Sequence, residues 1–161
     1  MKYVLKDVLF AHDKEGKFVA PFIFNKEKNK VKDLLTGKVV FITREVLSEN
    51  EQKLAEMKAV CSLYGKDELK IVDSYFALMF FANNINKIRG HVFADLKKQV
   101  RLNKALKTSV AEQDLIKNYV NTKTVEVADL KPLMEQVKPY VKKYFERKEE
   151  AKEISEETTN F

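Results

Sequence analysis

The chain has 161 residues, 45% of them hydrophobic, 11% aromatic and 34% charged, with a formal net charge of +6. That length suits one domain, which at this size buries roughly 70% of the surface its unfolded chain exposes, and the apolar fraction excludes a disordered chain. Two histidines, one cysteine, no tryptophan and four glycines leave no organised set of the residues on which most enzyme chemistry and phosphate-cradling loops depend.

The opening MKYVLKDVLF is interrupted by Lys6 and Asp7, so it lacks the unbroken apolar stretch of a signal peptide. The run Tyr3 to Ala11 is followed by a polar turn ending at Gly16. Phe18, Ala20, Phe22 and Phe24 then alternate with Val19, Pro21 and Ile23. This pattern predicts a β-hairpin. Pro21 has no amide hydrogen to give to a ladder, which predicts an edge position or a bulge. Lys26 to Lys32 reads as a lysine-rich loop and Lys38 to Thr43 as a third strand. Gly16, Gly37, Gly65 and Gly90 all fall where turns are expected.

Helices follow. Ser48 and Glu51 have capping-box spacing, and Leu54, Met57, Cys61 and Tyr64 form one stripe behind them. Residues 67–88 are apolar on nearly all faces, from Leu69, Ile71 and Val72 to Ile85 and Ile88. Such a segment predicts a helix covered on most sides, at the centre of the core. A third helix is expected over about 91–107, with Val92, Phe93, Leu96 and Val100 inward. Ser109 and Glu112 repeat the capping-box spacing and open a fourth helix with Leu115, Ile116, Tyr119 and Val120. Thr124 to Val127 reads as a short strand joining the N-terminal sheet. Asp129 is the expected N-cap of the last helix. There Leu130, Met134, Val137, Val141 and Tyr144 keep one phase through Pro139, which predicts one kinked helix. Beyond Lys152 the chain is polar and expected to fray.

The expected fold is α+β: an N-terminal antiparallel hairpin or three-stranded sheet packed on a C-terminal bundle of about five helices. One domain spans residues 1–153, mainly strands to 47 and mainly helices from 48, with a flexible acidic tail at 154–161. The longest apolar run, Tyr75 to Ala82, has eight residues against the roughly 20 needed to span a bilayer, so no membrane partner is expected. The lone Cys61 cannot form an internal disulfide, which points to a reducing, cytoplasmic setting.

No catalytic, cofactor-binding or metal-binding residue is assigned. His12, with Asp7 and Asp13, reads as a solvated turn histidine. His91 and Asp95 supply two ligands, too few for a stable metal site. Cys61 reads as a core thiol, and Phe76, Met79, Phe80 and Phe81 as core packing, with a ligand pocket as the alternative. Phe161, on the polar terminus, is read as a frayed end, with a docking peg as the alternative. Residues 88–108 carry six basic groups, Arg89, Lys97, Lys98, Arg101, Lys104 and Lys107, against one acid, Asp95. Lys97, Arg101 and Lys104 share one helix face, and this basic face is the candidate partner-binding surface. It matches either an acidic protein surface or nucleic-acid phosphates.

A core with no chemistry on it points to a non-enzymatic protein-binding module. In length, in its Lys-, Asn- and Phe-rich composition and in lacking catalytic motifs, the chain resembles the small accessory proteins of large tailed phages. Its length is similar to that of the phage inhibitor of the host Lon protease. The resemblance is one of size and composition and assigns no residue. It implies an inhibitor of a host enzyme complex, such as an ATP-dependent protease, acting in the host cytoplasm. The alternative is a nucleic-acid-binding accessory protein that uses the basic helix.

Overall fold

A computed structural model describes residues 2–42, 48–88, 93–105 and 111–159, with backbone alone from 152. Its strands and helices run β1 (Lys2–Val4), β2 (Leu9–His12), β3 (Phe18–Asn25), β4 (Lys30–Asp33), β5 (Val39–Phe41), α1 (Glu49–Tyr64), β6 (Lys70–Asp73), α2 (Ser74–Ala82), α3 (Ala94–Ala105), α4 (Glu112–Thr122), β7 (Thr124–Glu126) and α5 (Val127–Thr159). The fold is α+β, as expected. One antiparallel sheet has the order β5-β4-β3-β2-β6, and β1 pairs with β7 in a separate two-stranded sheet. The strand expected at 124–127 therefore meets the N-terminus, but outside the main sheet.

The hairpin is present as β2–β3, and the run Tyr3 to Ala11 divides into β1, a 3₁₀ turn at Leu5–Asp7 and β2. Asp13 closes the hairpin: its Oδ1 accepts from the amides of Glu15 and Lys17, each at 3.0 Å. Gly16 completes the turn at φ +78°, where a Cβ would also lie 3.1 Å from the Lys142 Cβ of α5. Positive φ and close approach both select glycine there. Lys26–Lys32 is not all loop, since residues 30–33 form β4.

A β-bulge breaks the expected alternation. Ala11 pairs with Ala20 but His12 with Phe18, so Val19 is the extra residue. Phe22 and Phe24 consequently pack on one face of the sheet and Phe18 on the other. Pro21 is not on an edge, because β3 lies between β2 and β4. Its carbonyl accepts from Leu34, one residue past the end of β4. The missing amide therefore falls where the ladder has already stopped.

One sheet face packs on α1 through Ala11, Phe22, Val31, Ala59, Val60, Cys61 and Leu69. Ser48 caps α1 by accepting from the Glu51 amide, and Gly65 ends it in the left-handed conformation. Cys61 is buried, but the expected stripe is rotated. Leu54 is 61% exposed and Met57 is also exposed, while Ala59 and Val60 face inward. Small residues let the helix lie close to the sheet.

The segment 67–88 is not one helix. Lys70–Asp73 is edge strand β6, and α2 begins directly after it. Asp73 makes the switch, its Oδ1 accepting from the Phe76 amide at 2.6 Å. α2 does occupy the centre of the main core, where Ala77, Leu78, Phe81 and Ala82 meet Phe10, Leu96, Ile116 and Val137. Ser74 is buried, with its Oγ 2.7 Å from the Leu5 carbonyl and 2.9 Å from that of Val8.

α3 begins at Ala94, after a turn at Phe93, and Val92 lies outside the described residues, as do the positions just after Ala105 that the expected helix includes. Ala111, not Ser109, is the N-cap of α4. α5 starts at Val127, two residues before the expected cap, and Asp129 instead reaches back to accept from the Glu126 amide at 3.2 Å. It continues as one helix past Pro132 and Pro139 to Thr159, beyond the expected end at Lys152. Leu130, Leu133, Met134, Val137 and Val141 are its buried face.

Two truncations separate the buried centre from the stripe read off the sequence. Phe81→Ala should cost about 3–5 kcal/mol in urea unfolding, the range for a fully buried aromatic. Leu54→Ala should stay within about 0.5 kcal/mol.

Candidate functional site

The residues of the expected basic face divide by environment. On α3, Lys97 is half-buried and its Nζ donates to the Ile88 carbonyl. Lys104 pairs with Glu112 at 3.1 Å. Lys98 and Arg101 are exposed, beside an outward Leu102, and neither has an ion-pair partner among the described residues. Arg89 and Lys107 lie outside the described residues, as do His91 and Phe161. Among the described residues of the row, Lys98 and Arg101 are thus the two cations without an ion pair, because a lysine near a helix end finds an uncapped carbonyl or an acid on the next helix.

His12 is not solvated: it is fully buried. Alternation along β2 puts it on the same face as Phe10, toward the helices, between Phe18 and Phe145, with ring centroids 6.1 and 4.6 Å away. Its Nδ1 donates to the Asp13 carbonyl at 3.0 Å, which leaves Nε2 buried without a partner among the described residues. Burial lowers its pKa below the usual 6.5 and the Lys70 charge adds to this, against the opposing Asp13 carbonyl and carboxylate.

Asp95, Tyr119, Lys123 and Asp129 gather around a hollow of about 170 Å³. Lys123 Nζ lies 3.0 Å from Asp95 Oδ2, and that bond raises the lysine pKa. Burial raises that of Tyr119. Both groups keep their protons at neutral pH, so neither is poised as a base. Among the described residues no three His, Cys, Asp or Glu side chains could hold a metal ion, and no helix is long and apolar enough to cross a membrane.

Two surface features were not singled out in the sequence. The first is the open end of the main sheet. Val39 and Phe41 lie directly across from Lys32 and Lys30, on the face that packs against the helices farther along. There the helices do not reach, and Phe41 is 72% exposed. Its signal was the alternation inside Lys38 to Thr43, which set Val39 and Phe41 opposite Val40. The second is a hollow of about 420 Å³ between the end of α2 and α5, lined by Phe80, Asn84, Tyr140, Lys143, Tyr144, Arg147 and Lys148. Phe76, Met79 and Phe80 are only half-buried and so are not wholly core, whereas Phe81 is fully buried. The α5 signal was a repeat of rings and cations at positions 140, 143, 144, 147 and 148, one helical face.

Comparison with protein-family models, with curated proteins and with solved structures finds no match.

The environment of His12 sets a pH dependence. A depressed folded pKa means that the unfolded chain takes up the proton first. Stability is therefore lost as pH falls through 6.5 toward the folded value, by at most about 1.4 kcal/mol per pH unit from this group. In urea titrations between pH 7.5 and pH 5, His12→Phe should lose less stability than the wild type. Parallel losses would show that His12 does not titrate in this way.

Proposed function

We propose that the chain is a protein-binding module with no reaction centre of its own, and that it docks its partner at the open β4–β5 end of the sheet. The observation that carries this reading is Phe41, 72% exposed on the outermost strand with Val39 beside it. Exposed apolar groups gathered at one place favour a partner surface that removes them from water, and aromatic residues dominate interface energetics. β5 is the end strand, so one side of its backbone has no strand beside it among the described residues. An extended partner segment can add there as a further strand. Lys30 and Lys32, cross-strand from Phe41 and Val39, favour a segment that carries acids.

The polar groups with catalytic potential support the same reading by where they are spent. Asp13 forms a turn, His12 is buried among rings, and Asp95 and Lys123 neutralise each other. The finer form, an inhibitor of a host ATP-dependent protease such as Lon acting in the host cytoplasm, has the likeness in size and composition as its support. The nucleic-acid alternative on α3 keeps Lys98 and Arg101 as cations without an ion pair among the described residues, while Lys97 bonds the Ile88 carbonyl and the exposed Lys104 pairs with Glu112.

Wild-type protein immobilised against bacterial lysate should retain a stoichiometric protein partner. Phe41→Asp should weaken that interaction by at least about tenfold, as expected for an aromatic hot spot, without changing the melting temperature. No partner, or equal retention by the variant, would sink the docking reading. Purified Lon, assayed on casein with increasing amounts of the chain, tests the finer form separately: titratable inhibition is expected, and unimpaired proteolysis would remove Lon alone.

A further inference from the structure

The geometry points to a nucleotide-binding site in the hollow between α2 and α5, with a single-stranded nucleic acid as its occupant. This goes beyond the docking surface at β4–β5 and uses different residues. The hollow, about 420 Å³, falls within the roughly 300–1,000 Å³ of small-ligand sites. Tyr140, Lys143, Tyr144, Arg147 and Lys148 occupy one face of α5 and look across to Phe80 and Asn84 at the end of α2. No acid is among these lining residues. Of the neighbouring acids on α5, Glu149 turns to Lys70 at 3.3 Å, while Glu146 and Glu150 are exposed and do not line the hollow.

The two chemistries in the hollow match the two halves of a nucleotide. The ring wall is already assembled. The Tyr144 centroid lies 4.6 Å from that of Phe76 and 5.1 Å from that of Phe80. Half-buried rings held this way offer a base a stacking surface without reorganisation. Asn84 Nδ2 donates to the Phe80 carbonyl at 3.2 Å, which fixes the amide and leaves Oδ1 to accept from a base amino or imino group. Lys143, Arg147 and Lys148 are exposed and supply three positive charges for phosphate. The C-terminus of α2 carries about half a negative charge, which sets the orientation: base toward Phe80 and Asn84, phosphate toward Arg147. A paired duplex hides its base faces, so a single strand is the polymer that fits.

The test is fluorescence anisotropy with a labelled oligothymidylate of about ten nucleotides, alongside intrinsic tyrosine emission, which no tryptophan masks. Wild type should bind with an affinity that falls as salt rises, and stacking should quench tyrosine emission. Lys143→Glu/Arg147→Glu should weaken binding at least about tenfold. Tyr140→Leu should weaken it about fivefold while keeping the salt dependence. Lys98→Glu/Arg101→Glu should leave it within about twofold, since α3 lies outside the site. Competition by free thymidine monophosphate at matched nucleotide concentration would support the same site with the mononucleotide as its source. The inference is overturned if neither oligonucleotide nor mononucleotide binds, or if the α5 variants bind like wild type. It is equally overturned if polyglutamate displaces the oligonucleotide and produces no tyrosine quenching of its own while binding as tightly, since that pattern is charge without stacking. Phe41→Asp should leave oligonucleotide binding unchanged, so the two surfaces fail or stand independently.

Discussion

A nine-residue helix without a charged side chain must be kept from water, and the rest of the molecule is arranged around that requirement. α2 is too short to persist alone. Its Ala77, Leu78 and Phe81 are each at most 2% exposed, covered by the sheet, α4 and α5. Phe93, just before α3, adds a ring 4.0 Å from that of Phe81. β6 runs into α2 without a loop, so the helix that centres the bundle is also tied to the edge of the sheet. Asp73 makes that junction possible by ending a strand and capping a helix with one carboxylate.

The sheet is consequently clothed on both faces, but unequally. α1 covers one face with small residues at close range. On the other face the helices cover the β6, β2 and β3 side and stop short of β5. The bulge at Val19 decides which phenylalanine goes where: Phe18 joins the helices, and Phe22 and Phe24 join α1. His12, beside the turn, is buried where Phe18 and Phe145 close over it. The same uneven coverage leaves Phe41 in solvent at the far end.

Charge follows the same geometry. Among the described residues, the net excess of positive charge is divided between several surfaces. Lysines next to helix ends or to acids on a neighbouring helix find partners: Lys97 and Lys123 are half-buried, and Lys104 is exposed and paired with Glu112. Cations project where a helix extends past its packing partner, and the later half of α5 does so at Lys143, Arg147 and Lys148. There they stand beside rings that α2 leaves half-covered. The two proposed surfaces thus have a common origin, in elements longer or farther out than what covers them.

The α+β class, the β2–β3 hairpin, the Ser48 cap, the burial of Cys61 and the phase of α5 through Pro139 were all legible in the chain, because each depends on neighbours a few residues apart. Periodicity and capping are local properties. The division of 67–88 into strand and helix was not legible, since strand and helix are both apolar there and only Asp73 marks the change. The rotation of α1, the interior place of Pro21, the burial of His12 and the engagement of Lys97 and Lys104 were not legible either. Each is set by a partner distant in sequence: the sheet under α1, the end of β4, Phe145 of α5, the Ile88 carbonyl and Glu112. Local spacing determines which residues share a face. Only tertiary packing decides what that face meets, because the energy of burial depends on the covering surface and not on the segment itself.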